Sequence, residues 1–238
     1  MHSVKLVAKT YGAGELIGKS GQEVISYTAR VSNPKNQDNF DTAPKLIKYL
    51  IDHNHWSPFE MVHMTVEIVT SRAIAQQILR HRSFSFQEFS MRYAKATDIL
   101  FYPARRQDVK NRQNSIDDVS DEDREWFEGA QEAGAHVTQS LYEEALRRGI
   151  AKEQARFLLP LGTKTTLYMS GNVRSWIHYI ELRAANGTQQ EHMDIARGCK
   201  EIFKKEFPDI ALALGWAHMI TTQSHHSDSG AGNDTSDE

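Results

Sequence analysis

The chain of 238 residues has one cysteine, Cys199. That excludes an internal disulfide framework, a Cys-x-x-Cys redox pair and a cysteine-rich zinc site, and any thiolate mechanism would have to run through that one residue. An excess of charge of one sign is also missing: 28 Lys and Arg stand against 31 Asp and Glu, a formal charge of −3. Proteins that coat nucleic acid or an anionic membrane carry a cationic excess, so neither is expected as a partner, while a local basic pocket for one phosphate stays compatible with the balance. No apolar run approaches about 18 residues, so no membrane span is expected. The N-terminal stretch, Met-His-Ser-Val-Lys-Leu-Val-Ala-Lys, has no signal-peptide pattern, and a soluble cytoplasmic protein is the expectation.

What is present reads as one folded domain over residues 1–216, followed by a polar acidic tail, 217–238, with too few apolar side chains to offset its ordering entropy. The expected class is α+β, a single mixed domain with a central antiparallel-type sheet packed by about five or six helices. Residues 4–8 suggest a first strand, and Gly18 and Gly21 flank a polar connection. Leu46, Ile47, Leu50 and Ile51 recur at helical spacing within 43–54. Val62, Met64, Val66 and Ile68 alternate with polar residues, as in a half-buried strand. Ser71 can cap a helix reaching about Arg82. An extended run over 86–93 would put Glu88, Ser90 and Arg92 on one face. Residues 105–124 read as an exposed connection. A long helix is expected from about Asp121 to Arg148 and a shorter one over 151–159. A strand is expected over 163–168, and further helices from Asn172 to about Ala185 and from Gln190 to Phe207.

The densest polar stretch within structured sequence is Gln77 to Tyr93, where three arginines, a histidine and a glutamate sit among aromatic residues. Guanidinium forks suit phosphate and carbonyl oxygens, and aromatic neighbours offer a wall for a flat ring, so a nucleotide or a flavin fits better than a sugar or a lipid. On chemistry alone the same residues could be a solvated helix end or a non-catalytic nucleotide- or RNA-binding segment. A scaffold without ligand is a third reading. His53, His55 and His63 lack a carboxylate at ligand spacing, so no metal is expected. Gly12-Ala13-Gly14 has Ile17 where a dinucleotide fingerprint would need a third glycine.

Arg80-His81-Arg82, seven residues and then Ser90 resembles the signature of the flavin-dependent thymidylate synthases. His55-Trp56-Ser57-Pro58-Phe59-Glu60, Ala155-Arg156 with Pro160, and Asn172-Val173-Arg174 with His178, Arg183 and Ala184 are similar to further motifs of that family, in the same order. The resemblance implies methylation of dUMP at C5 to dTMP. The carbon would come from 5,10-methylenetetrahydrofolate and the reducing equivalents from NADPH through FAD, in a homotetramer whose sites lie between subunits. It assigns flavin contacts to Ser57, Arg80, His81, Arg82, Glu88, Asn172, Arg174 and His178. It assigns nucleotide contacts to Gln77, Ile78, Leu79, Arg80, Glu88, Phe89, Ser90, Met91, Arg92, Arg156 and Arg183, with His55 and Tyr93 as further active-site positions. Arg183 is the residue implied to favour ionisation of the pyrimidine at N3.

The residue types agree with that chemistry. Uracil C5 is a poor nucleophile, and a thiolate attacking C6 is one way to activate it. Cys199 lies on the apolar side of a helix with Ala196, Ile202 and Phe203 and reads as a core residue. Activation would then be electrostatic: a guanidinium stays protonated and cannot be a base, but it can stabilise the ionised ring. Ser90 has no adjacent base and reads as a hydrogen-bond donor. Arg174 and His178, four apart, share a helix face, and the eleven-residue step from Asn172 to Arg183 is taken to separate those two. One pocket using both faces would then draw on a second subunit.

Overall fold

The computed structural model describes residues 2–96 and 98–217. In chain order the elements are β1 (Ser3–Lys9), α1 (Gly21–Ala29), α2 (Ala43–Asp52), β2 (His63–Ser71), α3 (Arg72–Ile78), β3 (Ser85–Glu88), β4 (Arg106–Gln107), β5 (Ser115–Ile116), α4 (Asp121–Arg147), α5 (Lys152–Ala155), β6 (Lys164–Asn172), α6 (Val173–Arg183), α7 (Gln190–Glu206) and α8 (Pro208–Ala213). An antiparallel sheet of order β1-β2-β6-β3 carries the fold, and β4 and β5 form a separate small hairpin. The α+β expectation is met. Among the described residues, six helices have seven or more residues, and α5 and α8 are shorter.

The two central strands show why. β2 and β6 pair from His63↔Asn172 to Ser71↔Lys164. On one face Met64, Val66, Ile68, Leu167 and Met169 are fully buried. The other face carries polar pairs such as Thr65 Oγ1 to Ser170 Oγ at 2.8 Å and Tyr168 to Glu67 at 3.0 Å. α3, α6 and α7 cover the apolar face and add Ile74, Trp176, Tyr179, Ile195, Cys199 and Phe203 to the core. Each fully buried side chain of this size contributes about 1.5–3 kcal/mol. Trp176 also satisfies its indole N–H on the carbonyl of Met64 at 2.9 Å.

Several local expectations need correction. α1 replaces the polar connection around Gly18 and Gly21: Ser20 and Glu23 form a reciprocal capping box, and Val24 and Ile25 then turn into the core. α3 stops at Ile78, so Arg80-His81-Arg82 lies in the link to β3 and not on a helix. β3 ends at Glu88. Phe89 N–H still donates to the Thr166 carbonyl, but the Ser90 carbonyl then accepts from Tyr93 and Ala94, which is a turn. Glu88, Ser90 and Arg92 therefore do not share a strand face. The 105–124 connection contains the β4–β5 hairpin, and Ser120 caps α4 through the Asp123 N–H at 3.1 Å. Pro208 ends α7 and also starts α8, where its fixed φ suits a first helical position. The tail from residue 218 on, with His225 and His226, lies outside the described residues. Among those described, no helix is long and apolar enough to cross a membrane.

Candidate functional site

The link between α3 and β3 is pinned at both ends. Ile78 is fully buried before it and Phe84 nearly so after it, leaving Arg80, Arg82 and Ser83 exposed and His81 half-buried between them. Phe84 seats edge-on against Trp176 at 4.8 Å and Tyr179 at 5.8 Å. It needs Gly171 opposite, because a Cβ there would lie 2.5 Å from its Cδ1.

Pinned in this way, the link meets the C-terminal end of α6. Arg183 Nε donates to His81 Nε2 at 2.9 Å across 102 positions of sequence. A guanidinium offers no lone pair, so Nε2 must be the bare nitrogen and the imidazole proton sits on Nδ1. Burial pushes the His81 pKa down to about 4, and the nearby Arg183, His178 and Arg80 push the same way. Behind it lies His192, fully buried, with its pKa lowered to about 3 by burial and by Arg183, His81 and Arg80. Tyr179 and Gln77 contact its two ring nitrogens at 3.2 and 3.4 Å.

A cavity of about 660 Å³ opens beside this cluster, lined among others by Trp56, Glu60, Ser83, Asn172, Arg174 and His178. Asn172 caps α6 through the Ser175 N–H at 2.8 Å, and Arg174 is ion-paired with Glu60. Ser57 begins the short 3-10 turn Ser57–Glu60 next to Trp56. The expected separation of Asn172 from Arg183 does not hold, since eleven helical steps of about 100° return to nearly the same side. The pair that α6 does separate is Arg174 and Arg183. They are nine apart, about half a turn out of phase and roughly 14 Å along the axis.

A third group gathers at the other end of the sheet. Arg72 Nη1 donates to Glu88 Oε1 at 2.6 Å, and Thr165 Oγ1 donates to the same oxygen at 2.9 Å. Arg92 pairs with Glu153 at 3.3 Å, Lys152 donates to the Tyr93 carbonyl at 3.0 Å, and Arg156 Nε donates to the Glu153 carbonyl at 3.1 Å. Buried Met91 lines a cavity of about 270 Å³ with Arg72 and Arg156. Phe89 and Tyr93 are exposed, and Ser90 starts the turn.

The fold thus joins Gln77, His81 and Arg183, gathers Ser83, Asn172, Arg174 and His178 around the larger cavity, and brings Arg92 to Arg156. The second and third of these groups lie toward opposite ends of β6. Glu88 sits opposite Leu167, toward the Lys164 end of β6, and Asn172 is at the other end, with eight strand steps, roughly 26 Å, from Lys164 to Asn172. Ile78 is in the core, Leu79 is half-buried, and His55 is exposed beside Tyr49. Cys199 is fully buried, and burial pushes its thiol up to about 12. Among the described residues no group of three or more His, Cys, Asp or Glu could hold a metal ion. Sequence reading missed Trp56 and Glu60 at the cavity, Arg72 on Glu88, and Tyr179, Gln189, Glu191 and His192 behind His81. The polar run Gln189-Gln190-Glu191-His192 was a signal, but it reads equally as an ordinary helix start.

A family described as "Thymidylate synthase complementing protein" matches residues 15–209. The chain is 57% identical to the flavin-dependent thymidylate synthase of Synechocystis sp., covering 85% of this chain and 93% of that one. It is 56% identical to a Paramecium bursaria Chlorella virus 1 protein named "Probable flavin-dependent thymidylate synthase", covering 90% and 99%. In three dimensions it is similar to the crystal structure of a UMP/dUMP methylase, PolB from Streptomyces cacaoi, bound with 5-Br dUMP. The TM-score there is 0.76 at 25% identity, covering 90% and 95%.

Proposed function

Since this chain belongs to the flavin-dependent thymidylate synthase family, we propose that it makes dTMP from dUMP, with FAD as cofactor, 5,10-methylenetetrahydrofolate as carbon donor and NADPH as reductant. The observation that carries this reading is the meeting of Arg183 with the Arg80-His81-Arg82 link beside a cavity large enough for a sizeable ligand. The donor set there fits a flavin dinucleotide. Arg174, Asn172, His178 and Ser83 offer polar groups to its phosphates and ring edge, and Trp56 offers an aromatic wall. Ser57, Arg80, His81, Arg82 and Glu88 complete the set of flavin contacts. When bound, the flavin supplies hydride chemistry that no side chain has.

The protein's own part is binding and polarisation. Arg183 stabilises negative charge on the uracil ring after loss of the N3 proton, which raises electron density at C5. It takes up no proton itself. His81 serves as its neutral rest: burial lowers its pKa most, and with Nε2 committed to Arg183 a proton added to His81 would also set two cations in contact. Gln77, Leu79, Arg80, Glu88, Phe89, Ser90, Met91, Arg92 and Arg156 bind the nucleotide. The phosphate is the natural partner of the Arg92 and Arg156 guanidinium groups. Cys199, buried and far from ionisation at neutral pH, takes no part.

The active assembly is a homotetramer with sites shared between subunits, acting on a free nucleotide in the cytoplasm. Two features support sharing: the roughly 26 Å between the ends of β6, and the apolar surface of α4, where Trp126 is 69% exposed and Val137 and Leu141 about half exposed. The test is direct. Purified protein with added FAD should show flavin absorbance and, with dUMP, methylenetetrahydrofolate and NADPH, form dTMP. A protein that takes up no FAD at saturation, or a monomer that is fully competent, refutes the reading.

A further inference from the structure

A chain of hydrogen bonds runs from Gln77 away from the nucleotide side, and its direction is set at the far end. Arg105 and Glu191 form an ion pair with both side chains largely buried. A carboxylate only accepts, so Gln189, 2.9 Å from Glu191 Oε2, must turn its amide NH₂ toward it. The Gln189 carbonyl then faces Gln77, which must answer with its own NH₂ at 2.5 Å. That leaves Gln77 Oε1 facing His192 Nδ1 at 3.4 Å, so the His192 proton is on Nδ1. Nε2 is then bare and accepts from the Tyr179 hydroxyl at 3.2 Å. Every link has one permitted sense, and reversing any of them would leave two donors or two acceptors face to face.

We infer that Glu191, Gln189 and His192 are positioning residues that hold the Gln77 amide in one orientation. Its carbonyl is committed to His192, and one N–H remains free for an acceptor oxygen of the nucleotide. An untethered glutamine presents donor and acceptor interchangeably and cannot favour one pattern of ring or phosphate oxygens over its reverse. This one is fixed from both sides. The inference rests on the reading that Gln77 contacts dUMP. None of the three positioning residues touches the substrate under that reading, and they act only through Gln77.

The test uses the full chain loaded with FAD. Gln189→Leu breaks the relay at an exposed position and leaves the Arg105–Glu191 pair intact, so folding should be retained. The KM for dUMP should rise about tenfold, the worth of one lost hydrogen bond, with kcat within about twofold and flavin absorbance unchanged. Nitrogen NMR of the ligand-free protein should report a single His192 tautomer with the proton on Nδ1, and a mixture in Gln189→Leu. A proton on Nε2 in the parent protein overturns the inference, as does a His192 that titrates near 6.5. Gln77→Ala separates the two levels. Raised KM in Gln77→Ala with unchanged KM in Gln189→Leu overturns the inference alone. Unchanged KM in Gln77→Ala overturns the reading beneath it, while the tautomer result still judges the relay.

Discussion

Substituting Gly171 by alanine should loosen the link that presents Arg80, His81 and Arg82, although Gly171 faces the core and touches no proposed ligand. The added methyl would fall 2.5 and 2.6 Å from Phe84 Cδ1 and Cε1. Carbon atoms in contact rest about 3.5–4.0 Å apart, so the ring must retreat by about 1 Å. It has little room to do so inward, since Trp176 at 4.8 Å and Tyr179 at 5.8 Å close that side. Retreat outward carries Ser83 and Arg82 with it. Overpacking of this kind costs about 1–3 kcal/mol. For a chain of this length that lowers Tm by roughly 2–4 °C per kcal/mol. Urea unfolding gives the stability change, and absorbance titration with FAD gives the change in affinity. Phe84→Leu in the same chain removes the edge that the methyl meets and should recover part of both losses. Gly171→Ala with stability within about 0.5 kcal/mol of the parent and unchanged FAD affinity would refute the argument that this contact holds the link in place.

Three further outcomes follow from the same geometry. His81 and His192 have folded pKa values near 4 and 3 against an ordinary 6.5, so the unfolded chain takes up protons first. Their contribution is complete above about pH 6.5 and is lost as pH falls toward 4 and then 3. By pH 5 the loss amounts to about 2 kcal/mol for His192 and less for the partly exposed His81, and urea midpoints unchanged between pH 7.5 and 5 would contradict this. Arg183→Ala should cut methylation by roughly 10²–10³-fold while largely sparing FAD binding, and NMR titration should find the His81 pKa raised by loss of the neighbouring cation; near-normal turnover would end the activation argument. Cys199→Ala should keep its activity, since the thiol is buried and its pKa is near 12; a folded but inactive variant would reinstate a thiolate mechanism.

What the sequence disclosed, and what it did not, divides along physical lines. Alternation in Met64, Val66 and Ile68 is a local property of a strand with one wet face, and it predicts β2 correctly. The helix beginning at Asn172 is equally local, because a side chain three positions from the N–H it caps needs no tertiary partner. α1 was legible too, in Ser20 and Glu23, but the flanking glycines mask it. The end of β3 was not legible. Nothing in Phe86 to Tyr93 says where the chain turns away from β6, which itself runs on to Lys164, and that departure converts an expected strand face into a turn. The contacts behind His81 were the least visible. His192 and Gln77 are 115 positions apart, and no periodicity or motif links a polar residue at a helix start to an amide on a different helix. Motif resemblance supplied the candidate ligand residues, while the contacts behind them emerge only from the fold.

The separation of the half-sites leads to a last test. Arg174 and the larger cavity lie toward the Asn172 end of β6, and Arg156 with Arg92 lies toward the Lys164 end, with roughly 26 Å of strand between those ends. Under the proposed function the Arg174 cavity takes the flavin and the Arg156–Arg92 group takes the nucleotide phosphate, and a rigid strand does not bring those two ends together within one chain. In the proposed assembly a second copy presents its Arg156 end to the first copy's Arg174 end. Arg174→Ala and Arg156→Ala should each be inactive alone, for different reasons: loss of FAD affinity in the first and of dUMP affinity in the second. Co-refolded one to one, they should regain roughly a quarter of the parent activity, because a random pairing gives one site in four both intact halves. Simple mixing without subunit exchange should restore nothing. If the co-refolded pair stays inactive while each variant alone still forms the parent's oligomer, both halves belong to a single chain and the shared site is refuted.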